Sequence, residues 1–132
     1  MNGRRENGWT ALHYATQRNH HHVALFLIDK GADVNAAAVT GLTALHVSAQ
    51  EGSSRVTRLL LEHGANHGLL EKSANTPLHM AASLGRERVV QVLLERGADA
   101  TLENQAGKTP DQLARTRGHT RLADAIMKAG SR

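Results

Sequence analysis

Asn75-Thr76-Pro77-Leu78-His79-Met80-Ala81-Ala82-Ser83-Leu84-Gly85 reads as one short capped helix. Thr76 places a hydroxyl where it can cap a helix N-terminus. Pro77 follows at the first helical position, where a missing N–H costs nothing. Gly85 ends the helix, because glycine accepts the left-handed C-terminal cap most easily. Steps of 33 residues outward from this segment meet the same pattern each time. Thr10, Thr43, Thr76 and Thr109 form one column, and Gly31, Gly64, Gly97 and Gly130 another. Leu12, Leu45 and Leu78 keep the period, as do His13, His46 and His79, and also Val23, Val56, Val89 and Leu122. The helix-ending column is Asn19, Gly52, Gly85 and Gly118, with asparagine the next-best residue after glycine.

A second helix follows each first one. In the third unit it runs over Arg86 to Glu95, with Val89, Val90, Val92, Leu93 and Leu94 spread over a broad apolar face, and Gly97 stops it. One such unit cannot bury that face alone, whereas units stacked in register share a continuous core. The period therefore predicts an all-α solenoid of four stacked helix-turn-helix units. The column Leu27, Leu60 and Leu93 is expected to be fully enclosed between neighbours.

Composition agrees. The 132 residues fit one domain, with 40% hydrophobic and 21% charged residues, which favours a folded chain over disorder. Trp9, Tyr14 and Phe26 are its only aromatic residues, so the core must use aliphatic side chains. There is no cysteine, hence no disulfide framework and no cysteine-containing zinc site. An intracellular setting, cytoplasm or nucleus, is expected on that ground. No apolar run approaches the roughly 20 residues that span a bilayer, and Met1 to Glu6 lead into no apolar segment of a signal peptide.

Thr76-Pro77-Leu78-His79-Met80-Ala81-Ala82 resembles the ankyrin T-P-L-H-x-A-A motif, and Val89 to Asp99 resembles the ending of its second helix. Thr10-Ala11-Leu12-His13, Thr43-Ala44-Leu45-His46 and, more weakly, Gly107-Lys108-Thr109-Pro110 carry the same likeness over roughly residues 4 to 130. The resemblance implies one ankyrin-repeat domain over 1–132, with repeats at about 5–37, 38–70, 71–103 and 104–132, the last a C-terminal cap. It implies first helices on a concave face, second helices on a convex face, and β-hairpin-like finger loops. It also implies binding through the fingers and the concave face.

Residues that depart from the repeated pattern are then the candidates for recognising a partner. The column before the capping threonine reads Trp9, Leu42, Asn75 and Lys108. Trp9 has two readings, an anchor for a partner or a side chain packed on the unpaired end of repeat 1. The ends of the first helices add Gln17, Arg18, Gln50, Glu51, Ser83, Leu84, Thr116 and Arg117, and the fingers add Val39 and Lys72, with Gln105 beside them. Ala74 stands where Gly8, Gly41 and Gly107 stand in the other fingers, so the third finger is expected to differ in backbone shape.

The net charge of +4 and a pI near 10.1 raise a rival reading. His22, Arg55, Arg88 and Arg121 share one position near the start of the second helix and would form a basic ridge. Glu51, Glu62 and Glu87 interleave with it, and no aromatic side chains stand by for base stacking, so a solvated face is preferred to a nucleic-acid or acidic-partner site. His13, His46 and His79 read as structural, because they recur with the repeat; Gln112 replaces them in repeat 4. Consecutive helical residues point about 100° apart, so His20-His21-His22 does not read as a metal site.

No nucleophile elbow, P-loop, metalloprotease helix or dinucleotide loop is present, and no catalysis, cofactor or metal is expected of residues 1–132. The expected function is a protein- or peptide-binding module or adaptor without membrane insertion. It is expected to be a monomer, with repeat 1 as the route to any self-association. The alternatives are a regulatory or targeting segment of a larger protein, including an enzyme, and a basic-surface binder. A selected binder is a further one, against which the irregular residues Asn19, Ala74 and Gln112 argue.

Overall fold

The computed structural model describes residues 7–130. The opening residues of repeat 1, the final residues of repeat 4 and the signal-peptide reading of residues 1–6 lie outside the described residues. Eight helices and no strand are found among the described residues. They are α1 (Ala11–Gln17), α2 (His21–Asp29), α3 (Ala44–Glu51), α4 (Ser54–Glu62), α5 (Pro77–Ser83), α6 (Glu87–Glu95), α7 (Pro110–Thr116) and α8 (Thr120–Gly130). The threonines cap as their chemistry predicts: the side chains of Thr10, Thr43 and Thr76 accept from the backbone N–H of His13, His46 and His79. Asn19, Gly52, Gly85 and Gly118 all take positive φ after the first helices.

Odd-numbered helices pack on one another to form one layer, even-numbered helices form the second, and each pair closes across the layers. The core between the layers holds Leu12, Leu45, Leu78, Val56, Val89, Leu60, Leu93 and Ile126, each almost fully buried. Alanines fill the close approaches, among them Ala24, Ala49, Ala81, Ala82, Ala114 and Ala123. Polar groups inside are matched: the buried Thr57 hydroxyl donates to Ser53 O at 2.7 Å and lies 2.9 Å from Ser48 Oγ.

Two expectations fail. Leu27 is only half-buried, unlike Leu60 and Leu93, because among the described residues no helix pair lies on the outer side of α2. The finger of repeat 3 does not change shape at Ala74. Ala74 adopts φ +61°, beside +80°, +86° and +76° at Gly8, Gly41 and Gly107. Its N–H bonds to Glu71 O at 2.8 Å, as Gly41 bonds to Ala38 O at 2.8 Å and Gly107 to Asn104 O at 2.9 Å. Glu71 Oε1 accepts from the N–H of Ser73 at 2.6 Å and of Asn75 at 3.0 Å, bracketing Ala74 as Asn104 Oδ1 brackets Gly107 by accepting from Ala106 and Lys108 at 3.0 Å, so the two fingers share one hydrogen-bond frame.

Candidate functional site

The histidines of the first helices position the fingers. His13, His46 and His79 are buried, and the Nδ1 of each accepts from the N–H of the capping threonine at 3.1–3.2 Å. An accepting Nδ1 carries no proton, so Nε2–H is the donor, and it reaches into the next repeat. His13 donates to Leu42 O at 2.7 Å, His46 to Asn75 O at 2.9 Å and His79 to Lys108 O at 3.0 Å. Burial holds His46 and His79 below the ordinary histidine pKa, against the weaker upward pull of their carbonyl partners. These rings are structural ties, and their acceptor carbonyls belong to the finger column Leu42, Asn75 and Lys108.

The fingers are also tied to one another. Val39 N–H donates to Asn7 O at 3.0 Å, Lys72 N–H to Thr40 O at 2.8 Å and Gln105 N–H to Ser73 O at 2.9 Å. Each finger therefore leans on the one before it by a single backbone bond at a fixed repeat position. Val39 projects from this row with 77% exposure, and Lys72, Gln105 and Lys108 are exposed as well.

Between the fingers and the ends of α3, α5 and α7 lies a depression of about 290 Å³. Gln50, Asn75, Ser83, Leu84 and Arg117 line it, so the fold brings together five residues singled out from the sequence. His79, Met80, Asn104 and Leu113 complete the lining. None of these nine residues is acidic, and Arg117 supplies a cation beside the apolar Met80, Leu84 and Leu113. Asn104 Nδ2 donates to Asn75 Oδ1 at 2.9 Å and fixes the finger side of the floor. Arg86 braces the opposite side by donating its Nε–H to Gln50 O at 3.0 Å.

The other residues singled out from the sequence lie outside that lining. Gln17, Arg18, Glu51 and Thr116 are exposed at first-helix ends, and Leu42 is half-buried in its finger. Trp9 is half-buried too, with its ring 5.0 Å from Tyr14 and 5.4 Å from His13. Met80 was missed because its column also carries Tyr14, Val47 and Leu113, which reads as core. The available signal was its place one helical turn before Leu84.

The second-helix side differs. His22, Arg55, Arg88 and Arg121 are all exposed. Between α6 and α8 a groove of about 710 Å³ opens over Val90, Leu94, Leu122, Ala125 and Ala129, because Ala125 stands where α4 and α6 carry Leu59 and Val92. The His21 and His22 rings meet edge to face at 5.6 Å, and no group of three metal-ligating side chains occurs among the described residues.

The family model for ankyrin repeats in three copies matches residues 37–104, and that for the single ankyrin repeat matches residues 7–38. No curated protein matches the chain. Helix pairs at a 33-residue period and matches that run from residue 7 to 104 agree, and the chain belongs to the ankyrin-repeat family.

Proposed function

We propose that this chain is a rigid adaptor that holds an extended protein segment in the depression between its fingers and first-helix ends. Ankyrin-repeat domains are generally protein-interaction modules, typically without catalysis of their own. The supporting observation is the shared lining of Gln50, Asn75, Ser83, Leu84 and Arg117, drawn from three successive repeats and one finger. The repeats taking part are those at about 5–37, 38–70, 71–103 and 104–132, with the last as a cap. Because histidine bonds and finger-to-finger bonds already fix the floor, binding orders few side chains, and a few anchors set the affinity. Val39, Lys72 and Lys108 on the fingers extend the surface, and Gln17, Arg18, Glu51, Thr116, Leu42 and Trp9 form its margins. No helix among the described residues is long and apolar enough to cross a membrane.

The chain has no cysteine, so single cysteines can carry a photo-crosslinker. Leu84→Cys, in the depression, should cross-link a bound protein segment, and Gln91→Cys, on the second-helix side, should not. Equal cross-linking from both positions would eliminate the proposal. A steep loss of binding with salt, persisting in Leu84→Glu but lost on reversing Arg55 and Arg88 to Glu, would favour the basic ridge instead.

A further inference from the structure

We infer, on the reading that an extended segment binds in the depression, that the segment carries an acidic side chain beside an apolar one, with the carboxylate seated on Arg117. The polar groups of the lining are donors in want of an acceptor. Asn104 Oδ1 accepts from the N–H of Ala106 and of Lys108 at 3.0 Å, so the Asn104 amide nitrogen is what faces Asn75. Asn75 Oδ1 is the acceptor of that bond at 2.9 Å, which leaves Asn75 only amide N–H groups to offer a ligand. His79 is spent at both ring nitrogens, on the Thr76 cap and on Lys108 O. The side chains of Arg117, Ser83 and Gln50 bond to no other group among the described residues. The lining therefore presents one full positive charge and several uncommitted donors, and none of its nine residues is acidic.

The carboxylates around the depression are engaged elsewhere or offset. Glu71 Oε1 accepts from Ser73 and Asn75 N–H, and Asp111 Oδ1 accepts from the Thr109 hydroxyl at 2.6 Å. Glu103 Oε1 lies 4.0 Å from where a Cβ on Gly107 would stand, over the turn of its own finger. Glu51 lies between Gln50 and Gly52, and the Arg86 side chain reaches both, bonding Gln50 O and passing 2.9 Å from where a Cβ on Gly52 would stand. Lys72 and Lys108 add exposed positive charge on the fingers. The occupant's size and charge follow. A volume of about 290 Å³ is at the bottom of the ~300–1,000 Å³ range of small-molecule pockets, so it suits one or two side chains of a longer segment. A phosphate group would call for a cluster of arginines, and a single arginine lines this depression. Met80, Leu84 and Leu113 beside Arg117 keep water off one flank of the pair and strengthen it. In an extended segment, side chains two residues apart share a face, so a carboxylate on Arg117 sets an apolar neighbour over those three.

Random linear peptides, displayed through their C-termini so that no terminal carboxylate competes, can be selected on the unaltered chain. The selected pool should be enriched in aspartate or glutamate two residues from a large apolar residue. A selected peptide should cross-link to Leu84→Cys and not to Gln91→Cys. Arg117→Glu should weaken that peptide by about tenfold or more. Changing the peptide's acid to lysine should restore binding to Arg117→Glu, which also shows that the variant is folded. Arg117→Gln gives a second readout: it should weaken the acidic peptide by about threefold to tenfold and leave the peptide's neutral amide analogue unaffected. Peptides that cross-link at Leu84→Cys yet show no acidic preference, or that bind Arg117→Glu undiminished, overturn this inference and leave the binding reading standing. Peptides that cross-link equally from both positions, or a selection that yields no binder, overturn both.

Discussion

Ala74→Gly should stabilise this protein, although it removes a methyl group and adds no contact. Ala74 sits at φ +61°, where a Cβ costs about 1–2 kcal/mol relative to glycine. Glycine gains entropy in the unfolded chain, which returns about 0.4–1 kcal/mol of that difference. The net gain is about 0.5–1 kcal/mol. Unfolding entropy scales as ~2.1 cal/mol/K per residue, so over 132 residues the expected rise in Tm is about 2–4 °C. The reverse change at the same finger position should be far worse. Gly41 has φ +86°, and a Cβ there would lie 2.9 Å from Glu71 Cα and 3.1 Å from Leu70 O, both backbone atoms of the next finger. Gly41→Ala therefore adds a forced displacement to the dihedral strain and should cost about 2–4 kcal/mol. Urea melts with calorimetric Tm values measure both. A neutral or destabilising Ala74→Gly would refute the reasoning, because it would mean that the Glu71 clamp and the Cβ together make alanine the preferred residue.

Leu60→Ala should cost about 2–5 kcal/mol in a denaturant melt, since its side chain is fully buried, while Leu27→Ala should cost less than half as much. Equal losses would mean that Leu27 is enclosed after all. Stability should also fall on mild acidification. Burial holds His46 and His79 neutral in the fold, so the unfolded chain takes up protons more readily. Their contribution is complete above the unfolded value of about 6.5 and is lost as pH drops below it toward their depressed folded values. Urea melts between about pH 7.5 and 5 should show this decline, and the decline should shrink in the His46→Gln, His79→Gln double variant. A flat profile in the unaltered chain would remove these two rings from the account.

The fold was legible because its signals are local and repeated. A threonine cap, a helix-ending glycine and a leucine facing inward each have one physical job, and four copies at one spacing leave little room for another architecture. The errors fell where a residue's surroundings, rather than its type, decide. Leu27 belongs to the same column as Leu60, yet its burial depends on whether a neighbour stacks above it. Ala74 reads as a broken turn because residue type alone does not reveal the hydrogen-bond frame, from Glu71 here and from Asn104 around Gly107, that keeps the finger's shape. The depression was half legible for the same reason. Gln50, Ser83, Leu84 and Arg117 follow from two adjacent positions at the end of the first helix, but Asn104 joins them only because its amide meets Asn75 one repeat earlier.

That meeting shows how one sequence serves stability and recognition at once. Each histidine ring binds the cap of its own helix through Nδ1 and the next finger's backbone through Nε2, so core burial sets finger spacing directly. The bond is to a carbonyl, and it is blind to the side chain that carries that carbonyl. Leu42, Asn75 and Lys108 share one tie while presenting an apolar, an amide and a cationic group. Recognition residues can therefore vary without altering the tie. At repeat 4 the relay ends: Gln112 accepts from Thr109 N–H at 3.0 Å, and no further finger follows among the described residues for it to hold. The replacement keeps the half of the histidine's role that serves its own helix, so the cap and the reach across the repeat boundary are separable: the first needs only an acceptor at this position, the second needs a donor on the far side of a ring.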